Sequence, residues 1–448
     1  MNTIVALATP LGRSGIGVIR LSGKTSLEIA RKLTRDDNFL PNSRFASLQK
    51  IYRLETTEVL DEALITYFQS PRSFTGEDVI EISCHGSPII LRQIIDFCLK
   101  LDARMAEAGE FSLRALANGQ INLSQAEAIR DLIDAQTVAA ARQSVRQLRG
   151  ELSHQLQPLK DELLNIIVVL ESSLEFVEDD LPEFQTTKIK SDLRKFSDDL
   201  GKMASTFQSG KLIREGIKVA LVGRPNVGKS SLFNALIGID RAIVTEIAGT
   251  TRDQLHEKFT INNIPISLID TAGLRKTSDL VESIGVERSK RLMVDADLVV
   301  VLLDGSENLN EEDSEIIRQV GELNHLIVIN KCDLKQTTTK DLFGSAILKI
   351  SAKTGEGIDE LQKAMVEPFS VENIANAGFL ITDARHYDLL IRAKSEIEKS
   401  NSLISDGVSE EITLIGLHNA LNYLGEITGE TTTEDMLSRI FSTFCIGK

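Results

Sequence analysis

The 448-residue chain has only four cysteines, Cys84, Cys98, Cys332 and Cys445, and no two of them form a C-x-x-C pair. That scatter excludes a disulfide framework and a zinc cage built on paired thiolates. Cys445 opens the tetrapeptide Cys445-Ile446-Gly447-Lys448, whose glycine and final lysine do not suit a prenylation signal. Long hydrophobic runs are also missing. Leu298 to Leu303 and Ile166 to Leu170 are of core size, far short of the ~20 apolar residues of a membrane helix. The start, MNTIVALATP, carries no basic segment ahead of its apolar residues, so no signal sequence is expected and the expected location is cytoplasmic, with no membrane partner. Basic charge is in deficit. Lys plus Arg at 50 against Asp plus Glu at 65 leave a net charge of −15, which repels a polyanion wherever no local basic patch intervenes. Non-specific nucleic-acid binding is therefore excluded as the main task.

What is present suits a folded, multidomain protein. Hydrophobic residues make up 42% and charged residues 26%, and the length allows about two to four domains with their own cores. From Thr3 to about Leu116, runs such as GVIRL, ALITYF and DVIEIS alternate with glycine, proline and serine turns, which predicts a small α+β domain over residues 1–117. The period then changes. Leu148, Leu152, Leu156, Leu159, Leu163, Ile167, Leu170 and Leu174 recur at spacings of three and four, and Ile189, Leu193, Phe196, Leu200, Met203 and Phe207 repeat the pattern. Two long amphipathic helices are expected, the first kinked at Pro158.

Past Gly210 strands are expected at about Lys218 to Val222, Pro265 to Ile269, Leu298 to Leu303, Leu326 to Ile329 and Ile347 to Ile350, with helical stretches between them. That alternation predicts a parallel sheet covered on both faces. Helical signals resume after Phe369, as at Leu389, Leu390, Ala393 and Ile397. The simplest topology inserts an α/β domain, 211–373, into a helical domain made of 118–210 and 374–448, because the long helices need partners that the C-terminal tail supplies.

The chemistry concentrates in the inserted segment. KVALVGRPNVGKSSLFNAL holds G-x-x-x-x-G-K-S from Gly223 to Ser230 between an apolar strand and a helical pattern. Glycines let backbone N–H groups curl around phosphate oxygens, Lys229 neutralises the terminal phosphates, and the Ser230 hydroxyl suits Mg²⁺. Asn226, Val227, Gly228, Lys229, Ser230 and Ser231 are the expected phosphate contacts. About forty residues on, PISLID ends in Asp270, followed by Thr271, Ala272 and Gly273, where a carboxylate serves the metal shell and a glycine amide meets the γ-phosphate. Between them AIVTEIAGTTRD offers Thr245, Glu246, Ile247, Ala248, Gly249, Thr250 and Thr251 as a switch, with Thr251 as second Mg²⁺ ligand. Asn330-Lys331-Cys332-Asp333 follows the strand HLIVI, and a buried Asp333 carboxylate accepting from guanine's N1–H and amino group selects GTP over ATP. Ser351-Ala352-Lys353 completes the order. Each piece alone would pass for a strand-end loop; four in sequence order identify a nucleotide site. One residue breaks the pattern. Leu274 stands where many GTPases carry the glutamine that orients the attacking water.

With TIVALATPLGRSGIGVIRLSG, PRSFTGEDVIEISCHGSP, QAEAIRDLIDA, GRPNVGKSS, DTAGLRKTSDLVESIGVERS and the ending FSTFCIGK, the chain resembles the MnmE (TrmE) family of tRNA-modification GTPases over essentially its whole length. The resemblance implies an N-terminal α+β folate-binding and dimerisation domain, an α-helical central domain and an inserted P-loop α/β G domain. It implies a K⁺ ion in place of an arginine finger, held by Asn226, Thr245, the Ile247 carbonyl and Thr250, with G domains pairing across the nucleotides. Hard oxygen ligands suit a weakly hydrated alkali cation. It further implies Glu282 as the catalytic acid that orients the nucleophilic water through a second water, where a solvated glutamate near a helix start would be the plain alternative.

The resemblance also implies a tetrahydrofolate one-carbon donor such as 5-formyltetrahydrofolate at Arg20, Glu77, Gln120 and Lys448, with lysine in many relatives where Gln120 stands here. Arginine and lysine suit folate carboxylates, and Glu77 suits pterin N–H donors. The implied partner is the flavoprotein GidA (MnmG), in a heterotetramer that adds an aminomethyl or carboxymethylaminomethyl group to C5 of the wobble uridine of certain tRNAs. No G-x-G-x-x-G opening a dinucleotide fold occurs in this chain, so the flavin chemistry belongs to the partner. Two other readings stay open: a ribosome-assembly GTPase switch, which calls for a basic RNA-binding appendage that neither terminus contains, and a folate-dependent transferase using GTP structurally. Cys445 has either a packing role or one in attack on the uridine.

Overall fold

The computed structural model describes residues 2–175, 183–239, 257–269, 295–337, 347–369, 378–406, 410–431 and 434–447. Along the chain the elements are β1 (Ile4–Leu7), β2 (Ser14–Ser22), α1 (Ser26–Thr34), β3 (Ala46–Tyr52), β4 (Val59–Phe68), β5 (Val79–Gly86), α2 (Pro88–Lys100), β6 (Arg104–Met105), α3 (Glu110–Ala117), α4 (Leu123–Asp134), α5 (Val138–Leu148), α6 (Glu151–Glu175), α7 (Glu183–Ser205) and α8 (Phe207–Glu215). There follow β7 (Ile217–Val222), α9 (Lys229–Ile239), β8 (Glu257–Ile261), β9 (Ile264–Ile269), β10 (Leu298–Asp304), α10 (Glu311–Gln319), β11 (His325–Asn330), β12 (Ile347–Lys349), α11 (Ile358–Val366), α12 (Ala384–Ser405), α13 (Glu410–Thr428) and α14 (Glu434–Phe441). The chain divides into two compact units, one of Met1–Ile133, Val145–Ser197 and Arg392–Lys448, the other of Asp134–Ser144 and Asp198–Ile391.

The first unit opens with a six-stranded sheet in the order β3-β4-β5-β2-β1-β6, antiparallel except for the β1–β6 pair. Strict alternation decides its faces. Ile19 and Leu21 of β2, Ala63, Ile65 and Tyr67 of β4, and Ile80, Ile82 and Cys84 of β5 are buried in one core with Ile29 and Leu33 of α1 and Ile94 and Cys98 of α2. The same period sends Arg20 and Ser22 to the other face of β2. Burial pushes the Cys98 thiol up to about 12 and that of Cys84, helped by Asp61, up to about 11, so both stay inert thiols at neutral pH.

The helical part of this unit pairs α6 with α13. Leu152, Leu156, Leu163, Ile167 and Leu170 of α6 are buried, as are Leu417 and Leu424 of α13, at roughly 1.5–3 kcal/mol per side chain removed from water. The C-terminal segment thus supplies the partner that the long helix lacks. That helix continues through Pro158. Phe441 at the end of α14 and Phe444 just past it pack against Leu123 and Ala126 of α4. Ile446 then bridges Ala108, and Gly447 (φ 99°) rests where a Cβ would lie 2.5 Å from the Leu7 carbonyl oxygen. The tail therefore ends beside β1 and β2.

The second unit holds a sheet in the order β12-β11-β10-β7-β9-β8, parallel apart from the β8–β9 hairpin. Asn262 and Asn263 both take positive φ, 51° and 64°, the requirement of a two-residue turn matched to strand twist. All seven residues of β10, LVVVLLD, are buried, as a central parallel strand covered on both faces demands. One face packs on Leu232, Leu236, Leu361 and Met365, and the other on Val320 and the partly buried Ile316 and Ile317. Helix α8 runs through Gly210 rather than ending there: a Cβ at that position would lie 2.0 Å from the Ile381 carbonyl oxygen, so the glycine marks a close backbone approach.

Candidate functional site

The β7-to-α9 connection is shaped by three left-handed or glycine-only conformations: Gly223 (φ 152°), Asn226 (φ 63°) and Gly228 (φ 100°). A Cβ at Gly223 would lie 2.4 Å from the Leu302 carbonyl oxygen, and one at Gly228 2.2 Å from Asn330 Nδ2. The loop is therefore pressed onto the carboxyl ends of β10 and β11. Val227 is fully buried beneath it, while Asn226, Ser230 and Ser231 are exposed. Helix α9 begins at Lys229, so its unpaired N–H groups and positive dipole end face the loop. Lys229 Nζ donates to the carbonyls of Gly223 and Arg224, and burial pushes its ammonium below the usual lysine range. A desolvated cation enclosed by a glycine cradle fits an anionic phosphate.

Asn330 joins three motifs. Its side chain is buried, donates from Nδ2 to the Val227 carbonyl at 2.8 Å and accepts from Ala352 N–H on Oδ1 at 2.9 Å. One amide thereby clamps the phosphate loop to the Ser351-Ala352-Lys353 segment. Buried Ser351 donates from Oγ to Asp333 Oδ1 at 2.7 Å and accepts from Thr354 N–H. Asp333 itself is exposed, which corrects the expectation of a buried carboxylate: the loop after β11 opens to solvent at the carboxyl end of the strand. Its aim is nonetheless set, because Ser351 holds one oxygen.

Lys331 (φ 64°) pairs with Asp304 at the end of β10. Burial opposes the Asp304 charge, but hydrogen bonds from Lys331 and Ser306 outweigh it and hold the carboxyl below its ordinary value. Lys353 is exposed. Sequence reading missed Asp304 and also Glu307, which binds the loop's Arg224 at 2.7 Å. The signal for Asp304 was a carboxylate closing a strand of six consecutive apolar residues.

Thr245, Glu246, Ile247, Ala248, Gly249, Thr250, Thr251, Asp270, Thr271, Ala272, Gly273 and Glu282 lie outside the described residues, as do Leu274 and Lys448.

A second cluster forms in the first unit on the sheet face opposite its core. Arg20 of β2 stands directly across from Glu81 of β5 in register and binds it through Nε at 2.9 Å and Nη2 at 2.8 Å. Its Nη1 donates to the Gly447 carbonyl at 3.1 Å, and its guanidinium lies 5.8 Å from the centre of the Phe111 ring. Among the described residues these bonds leave two of its five N–H donors. Glu77, in the loop between β4 and β5, accepts from Ser22 Oγ at 2.7 Å and Arg114 Nη1 at 2.9 Å. Gln120 is exposed nearby: a Cβ on Gly76 would lie 3.2 Å from its Nε2. The cluster thus gathers residues from β2, the loop before β5, the loop after α3 and the C-terminal tail. Ser22 and Arg114 were not picked out in the sequence. Arg114 had a signal, since it stands three residues from Phe111 on the same face of α3. Cys445 is exposed on the same tail, and its carbonyl accepts from Gly109 N–H.

Among the described residues no helix is long and apolar enough to cross a membrane. Residues 3–120 match the family model described as the N-terminus of the GTP-binding protein TrmE, and residues 123–445 match that of the MnmE helical domain. The chain is similar to the tRNA modification GTPase MnmE of Aquifex aeolicus (strain VF5), 43% identical over 447 residues and 99% of each chain. It is similar to that of Koribacter versatilis (strain Ellin345) at 42% identity over 450 residues, 100% of this chain and 99% of the relative. Among solved structures, the FeoB G domain from Methanococcus jannaschii aligns with 34% of this chain and 97% of its own at 27% identity, with a TM-score of 0.26.

Proposed function

The chain belongs to the MnmE (TrmE) family of tRNA-modification GTPases, and we propose on that premise that its GTP hydrolysis is potassium-dependent. With a flavoprotein of the GidA (MnmG) kind, in a heterotetramer, it modifies C5 of the wobble uridine of certain tRNAs in the cytoplasm. The group added is aminomethyl or carboxymethylaminomethyl, and a tetrahydrofolate such as 5-formyltetrahydrofolate is the one-carbon donor. The observation that carries the nucleotide half is the Asn330 clamp, which draws the phosphate loop and the two base-side motifs into one site.

In this reading the backbone of Asn226 to Ser231 wraps the phosphates, and Lys229 leaves its own loop carbonyls for phosphate oxygens. Asp333, aimed by Ser351, accepts guanine's N–H donors. Ser230 sits in the first turn of α9 where a hydroxyl suits Mg²⁺, with Thr251 as the second hydroxyl ligand. Asn226, with Thr245, the Ile247 carbonyl and Thr250, offers oxygens to K⁺; its exposed side chain at the tip of the loop fits that donor set. The two cations supply positive charge beside the phosphates as it is needed in the transition state. Glu282 orients the attacking water, the task for which Leu274 has no polar atom. Glu246, Ala248, Gly249, Thr271, Ala272, Gly273 and Asp270 complete the nucleotide shell.

The domain division follows the same reading: residues 1–117 bind folate and form the homodimer, 118–210 with 374–448 are helical, and 211–373 form the G domain. Arg20, Glu77, Gln120 and Lys448 hold the folate. The deciding test is Glu282→Ala with full-length protein in K⁺ buffer. Retained GTP affinity with most turnover lost is expected, and unchanged hydrolysis refutes the role.

A further inference from the structure

Four alternating charges form a chain off the face of the first unit's sheet, with its two middle members buried. Glu77 meets Arg114 at 2.9 Å, Arg114 meets Glu110 at 2.8 Å, and Glu110 meets Arg104. The Arg114 side chain is 3% exposed, while those of Glu77 and Arg104 at the two ends are 19% and 44% exposed. Arg114 engages three separate acceptors at once: Glu77 through Nη1, Glu110 through Nε and Nη2, and the Asn2 carbonyl through Nη2 at 2.9 Å. Only the planar fork of a guanidinium fits that set; a lysine is a single point donor on a flexible stem.

An ordinary buried ion pair satisfies both carboxylate oxygens. Here, among the described residues, both side-chain hydrogen bonds to Glu77 arrive at Oε2, one from Arg114 and one from buried Ser22. The loop carrying Glu77 is tied down on either side, with Ser73 Oγ on the Glu77 carbonyl and Asn118 Nδ2 on the Thr75 carbonyl at 2.7 Å. A carboxylate fixed by one oxygen on a fixed loop, with no side-chain donor on the other oxygen among the described residues, is arranged to accept from something beyond those residues.

We propose that Arg114 is the positioning residue of this cluster: its buried guanidinium locks Glu77 through Oε2 and leaves Oε1 as the acceptor for the N–H donors of a pterin-type ring, a role that rests on the folate reading above. Glu110 and Arg104 keep the guanidinium in place from behind. Glu110 is itself firmly ionised: burial opposes its charge, but hydrogen bonds from Arg104, the Glu107 N–H and Arg114 bring it down to about 2.

The test titrates full-length protein with 5-formyltetrahydrofolate by calorimetry, using the wild type, Glu77→Gln, Arg114→Lys and the double variant. Arg114→Lys is expected to weaken binding by about tenfold or more, the size of one lost charge-assisted hydrogen bond. The double variant is expected to bind no worse than Glu77→Gln alone, because Arg114 acts through Glu77. Losses that simply add, or Arg114→Lys binding like the wild type while Glu77→Gln does not, overturn the positioning role and leave the folate reading standing. A wild type that does not bind, or a Glu77→Gln variant that binds as well as wild type, removes the folate reading and the role with it. If Arg114→Lys does not fold, Arg114→Met combined with Glu110→Gln removes both buried charges together. It is expected to show the same loss, and wild-type affinity in that protein overturns the role.

Discussion

Asn330 shows how much of the nucleotide site one residue carries. Removing its side chain strands the Val227 carbonyl and the Ala352 N–H, at about 1 kcal/mol or more each. Asn330→Ala is therefore expected to weaken binding of a fluorescent GTP analogue by about 30-fold, and wild-type affinity would contradict the clamp. Gly228→Ala acts on the same contact from the other side. Its Cβ would sit 2.2 Å from Asn330 Nδ2 on a backbone at φ 100°, so GTP affinity is expected to fall by at least as much.

Glu110 gives a pH signature. Its carboxyl lies at about 2 in the folded chain against 4.5 for a free glutamate, so it contributes stability in full above pH 4.5 and loses it as pH falls towards 2. The melting temperature of the wild type is expected to exceed that of Glu110→Gln at pH 7, and the gap to close between pH 4.5 and 2. A gap independent of pH would show that Glu110 does not hold its charge this way. The phosphate and guanine motifs were legible because they are local: each is a few consecutive residues whose spacing is set by backbone geometry. Ser22 and Glu81 were not, because each acts through a partner far away in sequence, as Ser22 does with Glu77.

Among the elements, the parallel strands were the most legible. The expected Lys218 to Val222, Pro265 to Ile269 and Leu298 to Leu303 differ from β7, β9 and β10 by a residue at one end. Apolar runs bounded by glycine and aspartate leave little choice of register. Gly210 misled for a physical reason: a glycine after a helical pattern reads as a stop, yet this one lies within α8 because the Ile381 carbonyl needs the space. The stop comes at Gly216, whose φ of 75° caps α8 and whose missing Cβ would lie 2.0 Å from the Pro265 carbonyl oxygen. Gly216→Ala is expected to destabilise the second unit by about 2–4 kcal/mol, seen as a lowered midpoint in denaturant followed by nucleotide release. No change in that midpoint would mean that the backbone yields where the close approach indicates it cannot.

At the scale of the whole molecule, the last residues of the chain return to its first strands. Gly447 gives its carbonyl to Arg20, and Ile446 bridges Ala108. A chain truncated after Cys445 is expected to lose at least about tenfold in tetrahydrofolate affinity while keeping its GTP affinity, since the nucleotide site belongs to the other compact unit. Equal folate affinity in the truncated and full chains would remove the tail from the site. The sequence pattern could show that the C-terminal helices partner the earlier ones, but not that the tail passes beyond them to β2, because that contact is a backbone carbonyl and leaves no residue-type signature.

The central claim concerns hydrolysis without the water-orienting glutamine, and the most direct measurement is GTP turnover by the full-length protein in K⁺ against Na⁺ at equal ionic strength. Turnover at least about tenfold faster in K⁺ is the result expected of a cation taking over the charge stabilisation of an arginine finger. Equal rates in the two salts would contradict it.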